Sequence, residues 1–178
     1  LGEAQHPIND GANQYEHMSI GDAVFDESGR YRYRLGRRRE DGQGSVTFVM
    51  LNPSTADAEV NDPTIRRCIG FAWDWGYRSL VVVNLFAFRA TTPKELRRAV
   101  DPVGPKNDAH LVASVAEADA VVAAWGVHGA MNERDREAIE LLSGNSRLHC
   151  LGVTKAGLPR HPLYMRKSCM PIPYHTPA

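Results

Sequence analysis

The chain has 178 residues, 43% of them hydrophobic, which suits one α/β core and not two full ones. Lysine plus arginine equals aspartate plus glutamate at 21 each, so net charge gives no argument for a polyanionic partner and the distribution of charge must carry it. Three scattered cysteines (Cys68, Cys150, Cys169) without a CxxC argue against a disulfide framework or a four-thiolate metal site, and no apolar run approaches the roughly 20 residues of a membrane helix.

Residues 1–18 are polar, rich in Gly and Asn and without apolar periodicity, and are expected to form a flexible arm before a single α/β domain over 19–178. They lack the basic-then-apolar order of a signal peptide, so a soluble cytoplasmic protein is expected. Next, "DAVFDESGRYRYRLGRRRE" has two alternating runs around "DESG", the pattern of a β-hairpin. Its second arm carries Arg30, Arg32, Arg34, Arg37, Arg38 and Arg39, which suit either a solvated edge strand blunted by charge or a phosphate-contacting ribbon.

From residue 46 the pattern becomes strand, helix, strand, helix. "VTFVML", "SLVVVNLFAF", "DAVVAAW" and "LHCLGV" are short, β-branched and apolar on both faces, as a sheet covered on two sides requires. "DPTIRRCIGFAWDWG" predicts a helix with Asp62 as N-cap, Pro63 in first position and Ile65, Cys68, Ile69, Ala72 and Trp75 on one stripe. "TPKELRRAV" begins with a Thr92 cap and a capping-box Glu95, and "KNDAHLVASVAEA" and "NERDREAIELL" supply two further amphipathic helices. The sum is a three-layer, doubly wound α/β domain with about four parallel strands, whose sites belong at the carboxyl ends of the strands.

Those ends hold the candidate site. The first strand runs into "LNPSTAD", where Asn52 precedes a proline and either stabilises an Asx-type turn or serves a ligand; Ser54 is placed to cap a short turn with Asp57. The second ends its valine run in Asn84, a carboxamide that must satisfy two donors and an acceptor through a neighbouring loop or a ligand. The third ends at Trp125, core or pocket wall, and the fourth leads to "GVTKAGLPRHPLYMRKS", whose His161 is either a surface histidine or a site residue. Helix start "NDPTIRRC" places Arg66 and Arg67 where an anion could bind, or where they are simply solvated. No histidine pair has metal-ligand spacing, so neither metal nor cofactor is expected.

From about Met50 to Tyr164 the chain resembles DUF1643, a bacterial and phage family of uncharacterised proteins. More remotely, "MLNPS", "VVVNLFAFRATTP", "ADAVVAAWGVHGA" and "RHPLYM" resemble, in order, the motifs of the uracil-DNA glycosylase superfamily, with Ser54 where glycine is expected and a shortened closing loop. That resemblance implies a uracil-DNA-glycosylase-like fold and an activity on an extruded nucleobase in DNA. By position it implies that Asn52 orients the attacking water, Asn84 reads the base and His161 stabilises the departing base. Ser54, Phe86 and Trp125 would line the base pocket. Leu163, Tyr164 and Met165 would supply the wedge, with Arg160, Arg166 and Lys167 beside them for phosphates; Arg66, Arg67, Arg89 and Lys155 are further candidates for nucleic-acid contact. A non-catalytic nucleic-acid-binding module and a nucleoside- or nucleotide-processing enzyme remain alternatives.

Overall fold

The computed structural model describes residues 19–142, 144 and 148–175; the expected flexible arm, 1–18, lies outside the described residues. Strands β1 (Ile20–Phe25) and β2 (Arg32–Arg38) form the antiparallel hairpin, turned by Asp26, whose carboxylate accepts the N–H groups of Ser28 and Tyr31. They are followed by β3 (Gln43–Met50), α1 (Pro63–Asp74), β4 (Tyr77–Asn84), α2 (Pro93–Arg98), α3 (Asn107–Ala116), β5 (Ala120–Ala123), α4 (Arg134–Leu141), β6 (Leu148–Cys150) and β7 (Ile172–Pro173). All seven strands belong to one sheet in the order β1-β2-β4-β3-β5-β6-β7, its central four parallel and its rims antiparallel.

Local chemistry sets the helix boundaries. Asp62 accepts the Ile65 N–H at 2.8 Å and Pro63 opens α1, while Thr92 and Glu95 complete a capping box on α2. Helix α4 starts two residues later than "NERDREAIELL" predicts. Asn132 and Glu133 both adopt φ 56°, a left-handed conformation that cannot continue into a helix, and a 3-10 turn over Val127–Glu133 takes their place.

The apolar runs bury alternate residues into two cores. Phe48, Val82 and Val122 pack under α1 with Ile65, Cys68 and Ile69; Val49, Val83 and Val121 pack under α3 and α4 with Leu111, Val115 and Ala138. Helices therefore cover both faces. The chain steps from β3 to β4 through α1 on one face, then crosses to β5 on the opposite side of β3 through α2 and α3. This reversal falls between the carboxyl ends of β3 and β5, the kind of place where open α/β sheets bind ligands. No helix among the described residues is long and apolar enough to cross a membrane.

The structure corrects the edge-strand expectation for the arginine-rich arm and buries two of its six arginines. Strand β2 pairs with β4 and is not an edge, and Arg32 and Arg37 are only 2% and 3% exposed. Val24 faces Arg34 but Phe25 faces Arg32, so Tyr33 is an extra residue in β2; the bulge turns Arg32 to the face of Leu35 and Arg37. Arg32 donates to the Ala56 carbonyl at 2.7 Å. Arg37 donates to the carbonyls of Gly36 and Asp57 and to Asn61 Oδ1, at 2.6 to 2.9 Å. Arg39 reaches the carbonyls of Trp73 and Tyr77. For Arg32 and Arg37 the reason is the irregular segment between β3 and α1, whose carbonyls at Ala56 and Asp57 have no ladder partners and take arginine N–H groups instead. Replacing Arg37 by Met should cost about 2 to 4 kcal/mol in urea denaturation. A loss below about 0.5 kcal/mol, ordinary for a surface substitution, would contradict this anchoring role.

Candidate functional site

Asn84 ends β4 opposite Met50 of β3. Beyond it β4 leaves β2: the ladder's last pair is Leu35 with Val82, and β2 next touches this segment where the Arg32 N–H meets the Ala87 carbonyl. Leu85 and Phe86 keep pairing with β3, donating to Met50 and Leu51. The divergence leaves the carbonyls of Asn84 and Leu85 without a strand partner, and side chains take them. Asn107 Nδ2 donates to both at 2.9 and 3.0 Å, and Arg134 Nε donates to Leu85 at 2.9 Å. The main chain at Asn84 is thus clamped from α3 and α4.

Its side chain is not. Asn84 is 1% exposed, and neither Nδ2 nor Oδ1 has a hydrogen-bond partner among the described residues. Such an unpaired buried group costs about 1 to 3 kcal/mol, and native proteins rarely keep one without a use for it.

Asn52 lies two residues past β3. Its Nδ2 donates to the carbonyls of Pro53 and Ala90 at 2.9 and 2.8 Å, while the Ala90 N–H returns to Pro53. This arrangement joins the loop after β3 to the loop after β4. Both donors are committed, and Oδ1 forms no hydrogen bond among the described residues, so the end offered to a ligand is an acceptor. Ser54, half-buried, accepts from Arg89 through its carbonyl. The expected cap of Ser54 with Asp57 does not form. No helix starts there, and Asp57 Oδ1 takes the N–H groups of Glu59 and Val60, which hold its carboxyl below the usual range.

His161 sits where the loops after β5 and β6 meet: a Cβ built on Gly126 would lie 3.6 Å from its own. It caps the 3-10 turn Pro162–Tyr164 by accepting the Leu163 N–H at Nδ1, 3.3 Å away. In the neutral ring the proton is therefore on Nε2, which becomes a donor. Burial lowers the pKa of His161 below 6.5, and the Asp62 carboxylate opposes that shift. Strands β4, β3 and β5 are neighbours, so Asn84, the Asn52 loop and the Gly126 loop that meets His161 all belong to the carboxyl edge of one sheet.

Other expected site residues divide into anchors and exposed groups. Arg67 donates to the carbonyls of Pro162 and Met165 and props the His161 turn from α1; Arg66 reaches the Asn61 carbonyl. Arg89 donates to the carbonyls of Ser54 and Gly29 and lies over the Phe25 ring. Lys155, Arg160 and Arg166 are exposed, as is Lys167. Between them Leu163 and Tyr164 are 47% and 79% exposed at the tip of a turn whose Pro162 is buried. Met165 is half-buried against the α1 core. Phe86 and Trp125 are packed in the core under α3 and α4; Trp125 Nε1 is buried without a partner among the described residues, and Gly129 crosses its ring so closely that a Cβ would lie 2.0 Å from Cδ1.

Sequence reasoning missed Asn107 and Arg134, and the anchoring roles of Arg32 and Arg37. Their roles depend on carbonyls 20 to 49 positions away, which no local pattern records. Comparison with curated proteins and with solved structures finds no match. A family model does match, over residues 32–163, from β2 through the His161 turn and including every anchor of the edge described above. The chain belongs to the family described as "Protein of unknown function (DUF1643)".

Proposed function

We propose that the protein recognises a single extruded nucleobase at the carboxyl edge of β3, β4 and β5 and hydrolyses its N-glycosidic bond. The observation that carries this reading is the Asn84 carboxamide, buried with its donors and its acceptor unpaired on a main chain that Asn107 holds still. A carboxamide offers one donor beside one acceptor, the complement of a base edge with a ring N–H next to a carbonyl. Asn52 Oδ1, an acceptor with its amide hydrogens committed elsewhere, orients a water for attack at the sugar carbon. His161 Nε2–H donates to the oxygen of the departing base, where negative charge builds. Leu163 and Tyr164 fill the place the base has left.

A non-catalytic base-binding reading is favoured by one feature. The carboxylates nearest the edge are engaged in caps, Asp57 with Glu59 and Val60 and Asp62 with Ile65, so water activation falls to an amide alone. One experiment separates the two. The protein is incubated with oligonucleotides carrying uracil, hypoxanthine, an alkylated base or a 5-substituted pyrimidine, then heated in alkali to cleave abasic sites. Strand cleavage at one of these bases is expected. Base-dependent binding without cleavage selects the non-catalytic module, and neither binding nor cleavage with any of them sinks both.

A further inference from the structure

On the far side of Asn52 from His161 lies an open groove of about 550 Å³, between the loop after β3 and helix α2. The two sites share a wall. Ala90 lines the groove, and its carbonyl accepts an Asn52 amide hydrogen. Phe88 offers part of an aromatic ring, and Arg89 and Arg98 line the groove against a single carboxylate, Glu95. One Glu95 oxygen accepts the N–H groups of Thr91 and Thr92 and the Thr91 hydroxyl, so it is turned to the α2 cap. Behind the groove stands more positive charge. Arg32 is buried, its Nε unpaired among the described residues, and the charges of Asp62, Arg89, Arg37 and Asp57 all act on it. None of Arg32, Arg37, Arg89 and Arg98 forms an ion pair among the described residues. Arg89, bound to carbonyls, and Arg98 keep their positive charge at the groove wall, while the carboxylates of Asp57 and Asp62 partly offset the charges of Arg32 and Arg37 behind it.

We infer that this groove holds the phosphodiester and sugar flanking the recognised base, so that the ligand is a polynucleotide strand and not a free nucleoside. The inference deepens the base-recognition reading and rests on it for the strand's direction, since the groove begins where the Asn52 wall ends. Arg98 contacts the phosphate, Arg89 supplies field from its fixed position, and Phe88 provides an apolar face for the neighbouring sugar or base.

The test is fluorescence anisotropy of labelled single-stranded 12-mers carrying the bases above, run with wild type, Arg98→Glu and Asn84→Ala over a range of salt. Calorimetry with the matching nucleosides and nucleoside 5′-monophosphates runs beside it. Arg98→Glu should weaken oligonucleotide binding about tenfold and reduce the salt slope by about 0.7, while nucleoside binding stays unchanged. Nucleosides that bind as tightly as the 12-mers, 12-mers that do not bind, or an Arg98→Glu protein with wild-type affinity and slope would each overturn the inference. A monophosphate that binds as tightly as the 12-mer would overturn the polymer, since one phosphate would then suffice. The two readings fail separately. Loss of base preference in wild type with the Arg98 effect intact removes base reading and leaves the groove; an Asn84-dependent nucleoside signal without an Arg98 effect does the reverse.

Discussion

Asn84→Leu should raise the stability of the free protein by about 1 to 3 kcal/mol while abolishing discrimination among bases. The argument turns on sign. A buried asparagine that serves the fold has partners, and removing it exposes their unpaired groups; Asn84 has none, so its removal relieves a desolvation cost. Leucine keeps the branched shape but is slightly larger. Asn84→Ala therefore accompanies it, trading the unmade hydrogen bonds for a small cavity and leaving stability within about 1 kcal/mol of wild type. Both variants should lose about 100-fold or more in preference for the recognised base over its competitors, since a site built to hydrogen-bond a base edge loses most of its selectivity with the bonding group. Urea denaturation and competition binding measure the two quantities. A loss of more than about 2 kcal/mol in both variants would assign Asn84 to the fold.

His161→Ala should slow base release by about 10² to 10³ with little change in binding, because its Nε2–H meets charge that develops only in the transition state. Its pH dependence follows from burial. The folded pKa is lowered below 6.5, so the ring stays neutral, with Nδ1 free to accept from Leu163, through the pH range where an exposed histidine begins to charge. As pH falls below 6.5 the unfolded chain takes up a proton before the folded one does. The contribution of His161 to stability is therefore present above 6.5 and lost as pH falls toward the folded pKa. The Cε1–H resonance of His161 should titrate with a midpoint below 6.5, and the acid limb of base release should follow that midpoint. A midpoint at or above 6.5, or a His161→Ala protein with undiminished release, would remove His161 from the chemistry.

The central strands were legible because their signal is local. Valine and phenylalanine runs apolar on both faces, as in 46–51 and 119–125, permit little but a covered parallel strand. Helix α1 was legible for a similar reason, since Asp62 and Pro63 mark its start within two residues. Asn84 stood out as a polar residue ending a valine run, and that conflict between local pattern and residue type is the kind that marks a site.

What was not legible depends on distance along the chain. Arginines in an alternating strand look solvated, and nothing near Arg37 discloses that Asp57 and Asn61 will need its donors; the burial of Arg32 further requires a bulge at Tyr33. Arg66, Arg67 and Arg89, candidates for phosphate contact, also donate to carbonyls that no local pattern pairs with them. Asn107 looked like one more polar residue at a helix start, yet it holds the strand end that presents Asn84. Strand β7, two residues of which one is proline, carries no period-2 signal at all. The buried carboxamide at the end of β4 was thus visible in the sequence, and the frame that immobilises its main chain was not.

The most direct measurement of that carboxamide's role is the side-chain amide resonance of Asn84 in a ¹⁵N-labelled protein, titrated with the single-base 12-mers and assigned by its loss in Asn84→Ala. The account predicts a downfield shift of the Nδ2 hydrogens that saturates with one base and stays small with the others, as an unpaired donor acquires its partner. An Asn84 amide that does not move while the oligonucleotides bind, or that moves equally for every base, would contradict it.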